Sequence, residues 1–294
     1  MPIRTVRTST LHLAYEEDGP SKGDPVVLVH GWPDSPRTWD KVLPSLHEAG
    51  YRTIAPYLRG YGPSRFRDPW LGRKPRRTGQ PVAYGQDLIE MADRLQLRSF
   101  HCVGHDWGAW AGYVAAALFP RRLRSHVALG VPFKSGEATL PPFPQAQAFW
   151  YQWLLCTKPG ERSFRKDPVA YGRAQWDAWS PKGWYDEAEF QSAAKSWTGR
   201  DFPDVVLQAY RSQWGHAERD PRYARLQARF QATEVLDVPT TLVHGREDRC
   251  ELLETTDGAE RHFSSGYTRV VLDGVVTFRR ERIQGRWRRP FWRT

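Results

Sequence analysis

The chain has 294 residues, and 40% of them are hydrophobic, which is enough to bury the core of one large domain or two small ones. Its net charge is +10, but residues 275–294 hold seven arginines and one glutamate and so contribute +6 of that charge. The preceding 274 residues carry only +4, which is an ordinary surface charge. This distribution argues against nucleic-acid binding by the body of the protein.

The sequence has no stretch of about 18 apolar residues, so we expect no membrane-spanning segment. Its first residues lack the apolar run and small-residue cleavage site of a secretion signal. The three cysteines, Cys102, Cys156 and Cys250, are far apart and have neither a metal-binding nor a redox spacing. We therefore expect a cytoplasmic protein with reduced thiols that requires no metal or other cofactor.

Short apolar runs that end at glycine or proline predict strands, and segments with helical spacing predict helices. In chain order, the predicted elements are strands at 26–30 and 51–56, a helix at 83–97, a strand at 100–105, a helix at 107–119, and strands at 124–132, 240–245 and 268–275. Strands that alternate with helices predict an α/β fold with a mostly parallel central sheet flanked by helices.

Strand patterns are absent between about Ser135 and Arg225, where aromatic residues are frequent. We expect most of these rings to pack an inserted helical layer. The predicted organisation is a core in two parts, 1–134 and 226–275, a helical cap at 135–225, and a tail at 276–294 rich in arginine and tryptophan. The tryptophans and tyrosines of the insertion include Trp150, Tyr151, Trp153, Trp176, Trp179, Trp184, Tyr185, Trp197, Tyr210 and Trp214.

GHDWG (104–108) follows a predicted strand and opens a predicted helix. This is the setting of the sharp turn that raises a nucleophile above a sheet, usually a serine but here Asp106. A carboxylate needs no base to deprotonate it. It can attack an sp³ carbon that bears a leaving group, giving an ester that water then hydrolyses. A structural aspartate in a tight turn is the alternative.

HGWPDS (30–35), RGYGPS (59–64) and GHDWG occur in this order in the α/β-hydrolase family. Up to residue 275 the chain resembles the epoxide hydrolases and haloalkane dehalogenases of that family. The resemblance implies an oxyanion hole made by the backbone N–H groups of Trp32 and Trp107, with His30 as a support of its loop. It implies that Asp248 in LVHGREDRC (242–250), rather than the nearby Glu247 or Glu251, is the acid that orients a catalytic histidine.

The predicted cap bears on the choice between the two reactions. Opening an epoxide ring produces an alkoxide that needs a proton donor, and the epoxide hydrolases use two cap tyrosines. FWYQW (149–153) supplies Tyr151 and LQAYRSQWG (207–215) supplies Tyr210, although ordinary packing is the alternative for each ring. A haloalkane dehalogenase needs no such acid and holds the halide with ring N–H donors. Trp107 could serve as one, which keeps that reaction open.

The catalytic histidine that the resemblance implies is missing. The family continues its last strand with G-V-G-H-F, whereas this chain reads Val276-Thr277-Phe278 after VVLDGV (270–275). Threonine is no base near neutral pH, and we expect none of the nine histidines to replace the missing one. We therefore expect a small apolar substrate, an epoxide or a haloalkane, and an impaired second half-reaction. The other class of function is a non-catalytic relative that binds an apolar ligand.

A shift of reading frame would explain the tail. In one permitted choice of codons, reading from the third base of the codon for Val275 changes the tail to GHFPPRAHPRPLAAAILAH. This restores Gly-His-Phe, with histidine at position 277, and continues into a segment rich in alanine and leucine. The hypothesis also predicts that the residues after about Val275 pack irregularly, because arginines do not fill an apolar face. A gene without a histidine codon in the adjacent frame would contradict it.

Overall fold

The computed structural model describes residues 2–67, 76–136 and 138–276. Its strands are β1 (Ile3–Arg7), β2 (Leu11–Asp18), β3 (Pro25–Val29), β4 (Arg52–Pro56), β5 (Arg65–Phe66), β6 (Phe100–His105), β7 (Leu123–Leu129), β8 (Thr240–Gly245) and β9 (Tyr267–Leu272). Its α-helices are α1 (Leu43–Glu48), α2 (Pro81–Arg94), α3 (Trp107–Leu118), α4 (Phe143–Ala148), α5 (Trp150–Cys156), α6 (Lys158–Lys166), α7 (Pro168–Trp179), α8 (Glu187–Ala194), α9 (Phe202–Gln213) and α10 (Ala224–Gln231). Short 3₁₀ helices lie at Pro36–Trp39, Pro120–Arg122, Lys195–Trp197, Pro221–Tyr223, Leu253–Thr256 and Ala259–His262.

The strands form one sheet in the order β1-β2-β4-β3-β6-β7-β8-β9, and β5 pairs with β2. Neighbouring strands pair in parallel along the part of the sheet ordered β4-β3-β6-β7-β8-β9. Strand β2 is antiparallel to β1, β4 and β5. Strand β6 lies near the middle of the sheet and is buried along its whole length. A parallel strand with helices on both faces must be apolar on both sides, which FHCVGH largely satisfies. The predicted α/β class and mostly parallel sheet are confirmed.

Each of the six predicted strands corresponds to an observed strand, with ends that differ by up to three residues. The sequence pattern does not predict β1, β2 or the two-residue β5. Four of the five residues of β1 are exposed, and Arg4 on this strand pairs with Glu17 on β2 at 2.7 Å. Charged edge strands of this kind lack the buried apolar run on which the prediction relied.

Between β7 and β8, the described residues contain helices and no further strand. Two indoles tie this layer to the loop after β3, because Trp176 Nε1–H donates to Pro33 O at 2.7 Å and Trp197 Nε1–H donates to Asp34 O at 2.9 Å. The last helix of the segment, α10, instead packs on α3, where the Phe230 ring lies 6.4 Å from that of Trp110.

We propose 135–225 as the cap, although the first two residues of α10, which begins at Ala224, fall inside this range. Except for Val276, the predicted tail lies outside the described residues. Among the described residues, the structure has no helix with the length and apolar character needed to cross a membrane.

The arginine of RGYG forms a buried network in the core. Arg59 is fully buried, and its guanidinium donates to both carboxylate oxygens of Asp87 at 2.7 and 2.8 Å. It also donates to the carbonyl oxygens of Thr78 and Ala83, each at 3.2 Å, and to the hydroxyl of Tyr223 at 3.0 Å. The network joins the loop after β4 to α2 and to the segment that precedes α10.

We predict that Asp87→Ala lowers the free energy of unfolding by about 3–5 kcal/mol, because it leaves a buried guanidinium without its carboxylate. The matched control is Asp93→Ala on the same helix, where Asp93 is exposed and pairs with Arg122 at 2.6 Å. That change should cost less than about 1 kcal/mol. Urea denaturation measures both, and equal losses would contradict a special role for the buried pair.

Candidate active site

The candidate nucleophile, Asp106, lies in a sharp turn between β6 and α3. Its backbone angles are φ 52° and ψ −117°, a conformation that costs energy for any residue except glycine. A Cβ atom at Gly104 would lie 2.2 Å from Gly108 O, and one at Gly108 would lie 2.0 Å from Val29 O. The spacing G-x-D-x-G therefore follows from close contacts of α3 with β6 and with the end of β3.

The loop after β3 brings a backbone donor to this carboxylate. Trp32 N–H donates to Asp106 Oδ1 at 2.7 Å, and the backbone N–H of Trp107 is close enough to lower the pKa of the carboxylate. A Cβ at Gly31 would lie 2.4 Å from Asp106 Cβ, so only glycine allows this approach. The two candidate oxyanion-hole residues and the nucleophile are thus brought together, with one oxygen of the carboxylate already in contact with a donor.

Burial raises the pKa of Asp106 to about 7. The two backbone N–H donors, Trp32 and Trp107, act in the opposite direction, while the negative charges of Glu251 and Asp34 raise the pKa further. The carboxylate that would attack a substrate is therefore partly protonated near neutral pH.

His30 fixes the loop that carries Trp32. Its Nδ1 lies 2.9 Å from Gly31 O, and its Nε2 accepts the backbone N–H of Leu58 at 3.2 Å. The ring is fully buried and meets Tyr61 edge-on, with 4.9 Å between ring centroids. This arrangement supports the interpretation of His30 as a structural residue, because a neutral ring with its proton on Nδ1 satisfies both contacts.

The two candidate proton donors reach the same place from α5 and α9. Tyr151 stacks on Trp32 with 5.3 Å between centroids, and Tyr210 meets Trp32 edge-on at 5.8 Å. The rings of Tyr210 and Trp107 are 5.5 Å apart, as are those of the two tyrosines. Both phenols are buried, and the charge of Asp106 contributes to the raised pKa of each, after burial as the main cause. The structure thus brings both tyrosines against Trp32, whose backbone N–H donates to Asp106.

The hydroxyl groups of the two tyrosines have different partners. Gln152 Nε2–H donates to the Tyr151 hydroxyl oxygen at 2.9 Å, and Cys250 Sγ lies 3.7 Å from the same oxygen. The Tyr210 hydroxyl is buried and has no hydrogen bond of normal geometry among the described residues, although Tyr151 is close enough to raise its pKa. Neither Gln152 nor Cys250 was predicted as a site residue, although Gln152 stands next to Tyr151 in FWYQW.

Asp248 follows β8 and is almost fully buried. Its Oδ1 accepts the backbone N–H groups of Cys250 at 2.8 Å and Glu251 at 3.0 Å. Gln145 on α4 holds the same loop through two further bonds, donating to Cys250 O and accepting from Leu252 N–H, each at 2.8 Å. Gln145 could not be predicted from the sequence, because its partners lie more than 100 residues away.

The chain after β9 runs close to the Asp248 loop. Val275 O accepts the backbone N–H of Glu247 at 3.2 Å, and a Cβ at Gly245 would lie 2.2 Å from the same oxygen. Thr277, which stands at the expected position of the histidine, lies outside the described residues. The described chain therefore ends one residue before that position.

His244 on β8 lies near Asp248, with 3.8 Å between Nε2 and Oδ2. Its Nε2 is also 2.8 Å from Glu251 O, and its Nδ1 is 3.3 Å from Thr256 Oγ1. Burial lowers the pKa of His244, so its ring is neutral at pH 7. Both ring nitrogens already have protein partners, so this histidine offers no free acceptor for a proton from water. In the described part of the chain, no three His, Cys, Asp or Glu side chains are grouped so that they could hold a metal ion.

Comparison with known proteins identifies the family. Residues 24–274 match the family described as alpha/beta hydrolase fold. An epoxide hydrolase from Caballeronia sordidicola is 38% identical over 133 residues, which are 45% of this chain and 37% of that protein. Epoxide hydrolase A of Mycobacterium tuberculosis H37Rv is 25% identical over 306 residues, which cover 92% of this chain and 90% of that protein.

A structural neighbour covers nearly the whole chain. It is the crystal structure of a candidate epoxide hydrolase from Klebsiella pneumoniae subsp. pneumoniae, with a TM-score of 0.87 and 30% sequence identity over 95% of this chain and 92% of that chain. The sequence match spans only 37% and 38% of the length of the Caballeronia protein and of epoxide hydrolase B of M. tuberculosis. From its sequence match over residues 24–274 and its fold, this chain belongs to the α/β-hydrolase fold family.

Proposed function

We propose that the chain is a hydrolase of the epoxide hydrolase type, with Asp106 as the nucleophile. The observation that carries the proposal is the grouping of two buried phenols, Tyr151 and Tyr210, with a carboxylate that already accepts a backbone N–H. The epoxide hydrolases among the similar proteins support the same reaction. Removal of a halide needs no phenol, so the tyrosine pair favours an epoxide over a haloalkane.

The first half-reaction alkylates Asp106. A carboxylate oxygen attacks a ring carbon of the epoxide, the ring C–O bond breaks, and the ring oxygen takes a proton from a phenol. The product is an ester of Asp106 that carries a neighbouring hydroxyl group. This step requires only the carboxylate and the phenols, and the residues proposed for it lie between 106 and 210.

The second half-reaction hydrolyses the ester. Water attacks the ester carbonyl carbon and gives up a proton to a base, and the developing oxyanion stays in contact with the N–H groups of Trp32 and Trp107. Collapse of this intermediate expels the alkoxide, which takes the proton held by the base and leaves as a diol. The carboxyl group formed on Asp106 returns its proton to the phenolate, so that the carboxylate and the phenol are both restored. Asp248 would orient the histidine that acts as the base, but Thr277 stands at that position. We therefore infer that this chain forms the ester and hydrolyses it slowly.

We predict a stoichiometric covalent adduct on the peptide that contains Asp106 after incubation with an aryl epoxide. Losing a general base slows a reaction by about 10²–10⁴-fold, so the ester should accumulate with little diol released. Intact mass and peptide mapping measure the adduct. It should persist in Asp93→Asn, a change at an exposed carboxylate, and disappear in Asp106→Asn. Multiple turnovers, or an adduct in Asp106→Asn, would contradict the proposal.

We predict that the rate of adduct formation rises about tenfold per pH unit below pH 7 and levels off above it. Because burial raises the pKa of Asp106 to about 7, the carboxyl group is protonated at lower pH and cannot attack. Single-turnover rates between pH 5 and pH 9, measured by quenching and mass spectrometry, give the profile. A rate that is unchanged down to pH 5 would indicate a carboxylate with an ordinary pKa near 4 and would contradict the prediction.

We predict that replacing residues 276–294 with GHFPPRAHPRPLAAAILAH restores turnover. The new tail puts histidine at position 277, and the rate of diol release should increase by about 10²–10⁴-fold as that base activates water. The matched control is the same tail with alanine at position 277, which should form the ester and stop there. Equal rates of diol release by the variants with the two tails would show that a missing histidine does not limit ester hydrolysis.

A further inference from the structure

We infer that Gln152 and Trp214 form a relay that makes Tyr151, rather than Tyr210, the phenol that gives its proton to the ring oxygen. The inference rests on the proposed function and goes beyond it, because it assigns the proton transfer to one of the two tyrosines. Neither relay residue needs to contact the substrate, so both are positioning residues. The direction of the hydrogen bonds is set at Trp214.

The indole of Trp214 fixes the orientation of the Gln152 amide. Trp214 Nε1 lies 2.9 Å from Gln152 Oε1, and an indole N–H is a donor that cannot accept. The amide atom that faces it must therefore be the oxygen. The amide nitrogen then necessarily faces the other way, where it lies 2.9 Å from the hydroxyl oxygen of Tyr151. Unlike most side-chain amides, this one has a direction that chemistry alone determines.

The direction of the amide fixes the direction of the phenol. Because Gln152 Nε2–H donates to the Tyr151 oxygen, the phenol must point its own proton elsewhere. The available directions are toward Cys250 Sγ, 3.7 Å away, or toward a substrate oxygen that replaces this weak acceptor. The thiol is buried, and burial raises its pKa, so it remains neutral and competes poorly for the proton. The resting phenol is thus oriented as a donor before substrate arrives.

The amide also favours the loss of that proton. Burial, then the neighbouring Cys250 and Asp106, raise the pKa of Tyr151, and the Gln152 amide is the group that lowers it. A hydrogen bond to an oxygen becomes stronger as that oxygen gains negative charge, so the amide stabilises the phenolate more than the phenol. The Tyr210 hydroxyl has no comparable donor among the described residues, and its pKa is raised by burial, Tyr151 and Asp106.

A double-mutant cycle tests the relay. Gln152→Met removes the amide and keeps a side chain of similar size. Tyr151→Phe removes the hydroxyl group to which that amide donates. With an aryl epoxide, Gln152→Met should lower the maximal single-turnover rate of Asp106 alkylation by about 10- to 100-fold, with less than a twofold change in the concentration for half-maximal rate. In a Tyr151→Phe background the same change should have less than a twofold effect on rate. In a Tyr210→Phe background the full loss should remain.

Two further variants complete the test. Trp214→Phe keeps an aromatic ring but removes the N–H donor, so that the Gln152 amide can turn. This variant should slow alkylation several-fold, but only while Gln152 is present. Gln191→Met on α8 is the matched control, because its amide donates to Glu187 at 2.7 Å on the surface, and it should alkylate at the normal rate. An equal loss from Gln152→Met with and without the Tyr151 hydroxyl would overturn the relay alone. Absence of any adduct in the unaltered chain would overturn the proposed function together with the relay.

Discussion

The close approach of the loop after β3 to the turn at Asp106 is the constraint on which the rest of the site depends. The 2.7 Å hydrogen bond from Trp32 N–H to Asp106 forms only because Gly31 has no Cβ, and α3 reaches the end of β3 only because Gly108 has none. The contact holds the carboxylate in a turn whose backbone is strained. The oxygen that would become the oxyanion is therefore in contact with its donor before any reaction begins.

The same residue also connects the two layers of the site. The backbone of Trp32 contacts the nucleophile, while its ring contacts both phenols, stacked on Tyr151 and edge-on to Tyr210. Indoles of the inserted helices bind the carbonyl groups that directly follow this residue, at Pro33 and Asp34. A shift of the helical layer would thus move the donors of the oxyanion hole, so the position of the phenols and that of the nucleophile are set together.

Burial acts on the acid and on the nucleophile in different ways. It raises the pKa of Asp106 toward neutrality, which disfavours the ionised form that must attack, and the backbone donors of Trp32 and Trp107 offset part of this effect. It also raises the pKa of both phenols, which keeps them protonated and able to donate. The arrangement therefore needs local donors wherever negative charge must form, at the carboxylate and at one of the two phenols.

The sequence predicted the parallel part of the sheet and the turn at Asp106 well, because both depend on contacts between neighbours in the chain. Buried strands leave apolar runs, and the glycines of GHDWG stand within two residues of the aspartate that they accommodate. The edge strand β1 was missed because four of its five residues are exposed, and β2 was missed because its last three residues are acidic. Gln145 and Gln152 were missed for another reason. The sequence of a helix does not show whether a glutamine side chain faces water or contacts a residue of the site.

The residues proposed for the two half-reactions lie in different parts of the chain. A changed tail would therefore affect ester hydrolysis and spare ester formation. The residues proposed for ester formation, Asp106, Tyr151 and Tyr210, lie in the described part of the chain and are held there by the sheet, by the inserted helices and by each other. Asp248 is also held independently, by the backbone donors of its own loop and by Gln145 through that loop. What the proposed second step requires from the end of the chain is thus a single base. A chain that lacks it would keep the geometry for capturing an epoxide, which makes the ester on Asp106 the natural end point of its chemistry.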